Sequence, residues 1–182
     1  FYMNARLFQF LAPVNFELAW DKVATNNGCA GVDRETIAQF GRQKQQKLSR
    51  LLQQVARGSY RPLPLRQIAI PKKRGGWRIL RVPTVRDRIV QQALLNVLHL
   101  VMEPQVEPQS YADRPGRSHK LAVEKVTAWQ RQGYEWLLDA DIVSYFDHVG
   151  HERLLAEVAE RLRAHPSSFY ALVLWLDSLW NN

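Results

Sequence analysis

The chain has 182 residues, 46% of them hydrophobic, enough to build one packed domain or one domain and part of another. Its 25 Lys and Arg against 17 Asp and Glu give a net charge of +8, which points to a polyanionic partner, because basic side chains displace the counterions condensed on a phosphate backbone. A lone Cys29 excludes an internal disulfide framework and a cysteine-rich zinc site and suits a cytoplasmic location, and no apolar run reaches membrane-spanning length.

Asn15, after Pro13, is expected to cap a helix running through Asn27, where the Asn26-Asn27-Gly28 cluster ends it by tolerating positive φ. Asp33 is expected to cap a second helix, which later places Leu48, Leu51, Leu52 and Val55 at helical spacing. Arg42, Lys44, Lys47, Arg50 and Arg57 fall mostly on its other faces, and Gly58 closes it. Residues 66–71 and 77–83 read as strands around Lys72-Lys73-Arg74-Gly75-Gly76, so a hairpin with a basic tip is predicted. Residues 84–102 form a helix on this reading, since Ile89, Val90, Ala93, Leu94, Val97, Leu98 and Val101 trace one apolar face before Pro104 forbids continuation. After an irregular connection at Pro104 and Pro108, Ser118 caps a predicted helix to about Gln132, and Gly133 turns the chain into a short apolar strand. Two amphipathic helices over residues 151–163 and 167–180 follow. This order predicts an α+β fold, helix-rich with one basic β-hairpin.

The strand is the most informative stretch, because residues 137–147 set Asp139, Asp141 and Asp147 among Leu137, Leu138, Ile142, Val143, Tyr145 and Phe146. Such flanks favour a buried extended segment, and period two would put Asp139 and Asp141 on one face. An ionised carboxylate is costly to bury without arginine or lysine, backbone donors or a divalent metal. In a basic chain, metal-assisted phosphate chemistry is the leading reading. Nucleotidyl transfer needs metal ions on carboxylates, cationic side chains on the triphosphate, and a groove for the template. Asp141 is the expected metal ligand, and Lys72, Lys73 and Arg78 the expected triphosphate clamp. Arg74, Arg86, Arg88, Arg114 and Arg117 are the expected nucleic-acid contacts.

IPKKRGGWRILRVPTVRDRIVQQAL (70–94), SYADRPGRSHKLAV (110–123) and GYEWLLDADIVSYFDHVGHERLL (133–155) resemble, in that order, the first three core blocks of group II intron-type reverse transcriptases. GCAGVD (28–33) resembles the block that precedes the fingers in that family. The resemblance implies the fingers and partial palm of a right-hand polymerase: an N-terminal helical extension over 1–60, fingers over 61–132 and the first part of the palm over 133–182. It makes Asp141 the first catalytic aspartate, Ile142 a metal contact through its carbonyl, and Mg²⁺ the cofactor. Phe146 becomes a steric gate beneath the sugar that favours deoxynucleotides. Lys72 and Arg78 become triphosphate ligands, with Lys73 the register alternative to Lys72. Arg114 and Arg117 support the template and nucleotide pocket. An RNA template, a DNA or RNA primer, deoxynucleoside triphosphates and either intron RNA or a CRISPR integrase are the implied partners.

Two departures from the family pattern are visible. Ala112-Asp113 stands where intron enzymes read Gly-Phe before RPGRS, which looks closer to reverse transcriptases of CRISPR adaptation modules. The Pro-Gln-Gly block, the Tyr-x-Asp-Asp hairpin and the thumb have no counterpart; Tyr111-Ala112-Asp113-Arg114 imitates the hairpin, but its fourth residue is arginine. The chain is therefore expected to be a piece of a longer enzyme, to carry half a metal site, and not to polymerise by itself.

Blander readings stand beside these. Asp139 reads as a salt-bridge partner, Asp147 as a brace for the next turn, and His119 as part of a solvated helix face. His148 and His151 lack the further ligands of a metal clip. Trp20, Trp129, Trp136, Trp175 and Trp180 read as core or as surface that a larger palm would cover, and Trp77 as a brace for the hairpin. A non-catalytic RNA-binding scaffold, its acidic strand a relic, is the rival function, and a phosphohydrolase using Asp139 and Asp141 a third.

Overall fold

The long apolar face between Thr84 and Met102 becomes α5 (Val85–Met102), and the first two helices of the chain pack on it. The computed structural model describes residues 5–73, 75–143, 145 and 148–163. Before α5 come α1 (Ala5–Phe10), α2 (Pro13–Asn26), α3 (Ile37–Gly41), α4 (Lys44–Ala56) and the strands β1 (Arg66–Pro71) and β2 (Trp77–Val82). A 3-10 turn (Glu103–Gln105), α6 (His119–Arg131) and α7 (His151–Arg163) follow it. One core joins Phe16, Ala19, Trp20 and Val23 of α2 and Leu48, Leu51 and Val55 of α4 to Ile89, Val90, Ala93 and Val97 of α5. Each such fully buried Ile, Val, Leu or Phe side chain contributes roughly 1.5–3 kcal/mol, so packing, more than helix propensity, fixes where these helices lie. Leu155 and Val158 of α7 rest partly buried against the same core.

Local signals decide the helix ends. Asn27 takes φ 44° after α2, Gly58 takes φ +67° after α4, and Ser118 caps α6 by accepting from the Leu121 amide at 3.3 Å. Two expected caps are overturned. Helix α2 begins at Pro13, whose preset φ suits a first turn, and Asn15 is buried inside it. Its amide donates to the carbonyls of Phe10 (3.0 Å) and Ala93 (2.9 Å), which ties α1 and α2 to α5. Asp33 accepts from the Glu35 amide at 3.1 Å in a turn, while a Thr36/Gln39 capping box starts α3 instead. The single helix expected there is two: α3 turns Phe40 onto Trp20, with ring centroids 5.0 Å apart, and α4 lays its leucines on the core.

The hairpin forms as predicted, antiparallel from Arg66 opposite Val82 to Pro71 opposite Trp77. The Lys72 amide donates to the Gly76 carbonyl at 2.9 Å, which extends the ladder by one pair. The Gly75 amide donates back to the Lys72 carbonyl at 3.1 Å, and Gly75 holds φ +87°, where a side chain would be strained.

Of the buried strand expected over 137–147, the described residues 137–143 and 145 form no part. Residues 135–142 have no regular structure and are exposed, Trp136 at 97% and Leu138 at 91%. A strand is stable only with a partner for its amides and carbonyls, and among the described residues the one sheet is β1–β2, which does not pair with this segment. The helix expected over 167–180 lies outside the described residues. No helix among those described is long and apolar enough to cross a membrane.

Candidate nucleic-acid interface

The strand register decides which cations act together. Residues directly opposite in an antiparallel pair share a face, so Ile70 and Arg78 lie with Ile68 and Leu80. Lys72, two residues past Ile70 and opposite Gly76, falls on that face as well. Lys72 and Arg78 thus share one face near the tip, while Lys73 sits in the turn. All three are exposed, and none has an ion-pair partner among the described residues. Trp77 is 66% exposed and pairs with Pro71 on the opposite face from Arg78. Arg74 lies outside the described residues.

The hairpin base is built from polar contacts. Asp87, in the first turn of α5, is 3% exposed. It accepts from the Thr84 hydroxyl at 2.5 Å, from the Leu63 amide at 3.2 Å and from the Tyr60 hydroxyl. Burial, helped by the hydrogen bond to Asp87, pushes the Tyr60 phenol far above its usual range. The Arg86 guanidinium lies over the Tyr60 ring, 4.9 Å from its centroid, and donates to the Arg61 carbonyl at 2.6 Å. Across the junction, Arg66 donates to the Ala30 carbonyl (3.1 Å) and Arg88 to the Cys29 carbonyl (2.8 Å). The GCAGVD loop thereby lies against the hairpin base, so closely that a Cβ on Gly31 would stand 2.6 Å from the Thr84 Cα.

The expected nucleic-acid arginines therefore divide. Arg86 and Arg88 use donors to hold loops. Arg114 does so more completely: Nε and Nη2 reach one Glu103 oxygen at 2.9 and 2.7 Å, and Nη1 donates to the Glu107 and Ser110 carbonyls at 2.8 and 2.9 Å. Its hydrogen bonds hold the Glu103 carboxyl below the usual range. Arg117 is exposed, with its guanidinium 5.4 Å from the centroid of the Tyr111 ring.

The acidic segment is open to water. Asp139 and Asp141 are both exposed, and one Asp141 oxygen accepts from the Ile142 amide at 2.9 Å. Solvation removes the burial cost from which a bound cation was inferred. Among the described residues no group of three or more His, Cys, Asp or Glu side chains converges to hold a metal. A hard divalent ion takes about six oxygen ligands, several of them from carboxylates or water. The described residues do not make a metal centre on their own. Phe146 and Asp147 lie outside the described residues.

Sequence reasoning missed the Tyr60–Asp87 junction. The legible signal was Thr84-x-x-Asp87, a hydroxyl three residues ahead of an acid at the head of an apolar run.

A basic hairpin on a helical body, followed by an acidic segment, is an arrangement suited to a nucleic-acid polymerase, and comparison with known proteins gives the family. The profile of the reverse transcriptase (RNA-dependent DNA polymerase) family matches residues 70–180, more than half of the chain, and the chain belongs to that family. The reverse transcriptase-like polymerase fold follows, with which the helix-rich body and two-stranded hairpin are consistent. Protein YkfC of Escherichia coli is 37% identical over 120 residues, 64% of this chain and 32% of that protein. Group II intron-encoded protein LtrA of Lactococcus lactis subsp. cremoris is 28% identical over 162 residues, 87% of this chain and 26% of LtrA. A 91 kDa protein in the cob intron of Schizosaccharomyces pombe is 28% identical over 150 residues, 81% of this chain and 18% of that protein. Within its family the chain is of the group II intron-like kind. It spans a third or less of the length of these relatives.

Proposed function

We propose that the polypeptide carrying this chain is an RNA-directed DNA polymerase that adds deoxynucleotides to a primer by two-metal transfer with Mg²⁺. Family membership supports the reaction class. The observation that carries the assignment to residues is the shared exposed face of Lys72 and Arg78. Two cations on a hairpin tip suit the β- and γ-phosphates of an incoming nucleotide. Residues 61–132 serve as fingers, 133–182 as the first part of a palm and 1–60 as a helical extension. Asp141 and the Ile142 carbonyl supply part of a ligand set completed by residues outside those described, Phe146 screens the sugar, and Arg74 and Arg117 face the template. The chain alone is inactive on this reading.

The test is steady-state incorporation on an RNA template by the longest natural polypeptide that carries the chain. Lys72→Ala and Arg78→Ala should each raise the KM for nucleotide at least about ten-fold, as loss of a charge-assisted hydrogen bond requires; unchanged KM in both overturns the clamp. Replacing Phe146 by a small residue should admit ribonucleotides, and unchanged sugar choice removes the gate.

Intron mobility is the proposed setting, supported by intron-encoded relatives; an intron RNA is then the partner. Ala112-Asp113 before RPGRS favours a second setting, spacer acquisition beside a CRISPR integrase. The solvated Asp141 favours a non-catalytic RNA scaffold, for which RNA binding without any extension is the deciding result.

A further inference from the structure

We propose that Asp87 is a positioning residue that aims the basic hairpin at the nucleotide, an inference that rests on the hairpin being the triphosphate clamp. A carboxylate 3% exposed must have its charge met by donors, and the places those donors come from are informative. Tyr60 and Leu63 lie in the segment that leads into β1, Thr84 lies two residues after the end of β2, and Arg86 stands in α5 with Nε 3.6 Å from the carboxylate. Both legs of the hairpin are thus gathered on one side chain of the rigid helix. Beyond that point the strands pair with each other, and their side chains are exposed except for half-buried Ile68 and buried Val82.

The geometry makes the base a fulcrum. The six residue-to-residue steps from Arg66 to Lys72, at about 3.3 Å each, set the tip roughly 20 Å from the base. A swing of roughly 10° there moves the tip by about 3 Å, enough to carry Lys72 and Arg78 out of hydrogen-bond reach of a phosphate. The contacts of Arg66 and Arg88 with the GCAGVD loop hold the other side of the junction. They keep the hairpin attached when Asp87 is altered, so the expected defect is loss of aim with the fold retained.

The experiment uses Asp87→Asn, which keeps the shape and removes the charge, and Tyr60→Phe, which removes one donor, in the longest natural polypeptide carrying the chain. Two readouts are taken well below the melting temperature of each variant: KM and kcat for nucleotide on an RNA template, and hydrogen exchange of amides 66–82 without nucleotide. D87N should raise KM on the order of ten-fold with kcat changed less than about two-fold. Exchange should quicken in β1 and β2 while the α2 and α5 core amides keep their protection; Y60F should follow in the same direction with a smaller effect. A lower melting temperature with unchanged KM and unchanged hairpin exchange would make Asp87 merely structural and overturn the proposal. If D87N does not fold, Y60F decides by the same two readouts. Wild-type protein that incorporates no nucleotide refutes the polymerase reading and with it the aim at a nucleotide. The exchange arm separately shows whether Asp87 holds the hairpin.

Discussion

Asn15→Ala isolates one polar tie between the first two helices and α5. The side chain donates to Phe10 and Ala93 carbonyls at 3.0 and 2.9 Å and accepts from the Asn96 amide at 2.9 Å. Three hydrogen bonds at a net value of about 1 kcal/mol each set an upper figure of about 3 kcal/mol. The Ala93 carbonyl keeps its bond within α5, and half-buried Asn96 turns to water, so about 2 kcal/mol is expected to be lost. For a chain of this size that lowers Tm by about 4–8 °C. Thermal melting followed by circular dichroism reads the shift, and a double-mutant cycle with Asn96→Ala should show a coupling of about 1 kcal/mol. A shift below about 1 °C, or strict additivity with Asn96→Ala, would refute the reasoning that a buried side-chain amide joins these helices.

Gly31→Ala should destabilise by about 1–3 kcal/mol, because its methyl would meet Thr84 backbone atoms at 2.6 and 2.7 Å that cannot rotate away. Gly75→Ala meets nothing within 4 Å and carries only the strain of positive φ, about 1–2 kcal/mol; urea titration that ranks Gly75→Ala as the more damaging contradicts the close approach. The Glu103 carboxyl is depressed from 4.5 by Arg114, so its contribution is complete above that pH and lost as pH falls through the lower folded-state value. Proteolytic cutting within residues 106–117 should therefore accelerate as pH drops below 4.5, and Glu103→Gln should cut as fast at neutral pH as at acid pH. RNA binding should weaken linearly in log salt, and Arg117→Ala should reduce the slope by about one phosphate contact, roughly 0.7–0.9; an unchanged slope removes Arg117 from the interface.

What was legible in the sequence was local. The apolar period of α5, the turn chemistry around Gly75 and the Ser118 and Gly133 bounds of α6 depend on neighbours within a few residues, and each forms as read. Asn15 failed as a cap because its partner is Ala93, 78 residues away, and nothing nearby announces that contact. Asp87 went unnoticed for the same reason, its donors Tyr60 and Leu63 being 27 and 24 residues distant. Arg86, Arg88 and Arg114 show the limit for charge: the sequence displays a cation without its partner, and a guanidinium that braces a loop looks the same as one that meets phosphate. The acidic segment had strand-forming residues in abundance, yet strand formation depends on a partner strand, and among the described residues neither β1 nor β2 pairs with it.

The most direct measurement is Mg²⁺-dependent addition of deoxynucleotides to a primer on an RNA template by the longest natural polypeptide carrying this chain, compared with its Asp141→Ala variant. The account predicts that the wild type extends the primer, and that the variant does not while binding the RNA within about two-fold of wild type. Extension that survives Asp141→Ala at the wild-type rate would contradict it.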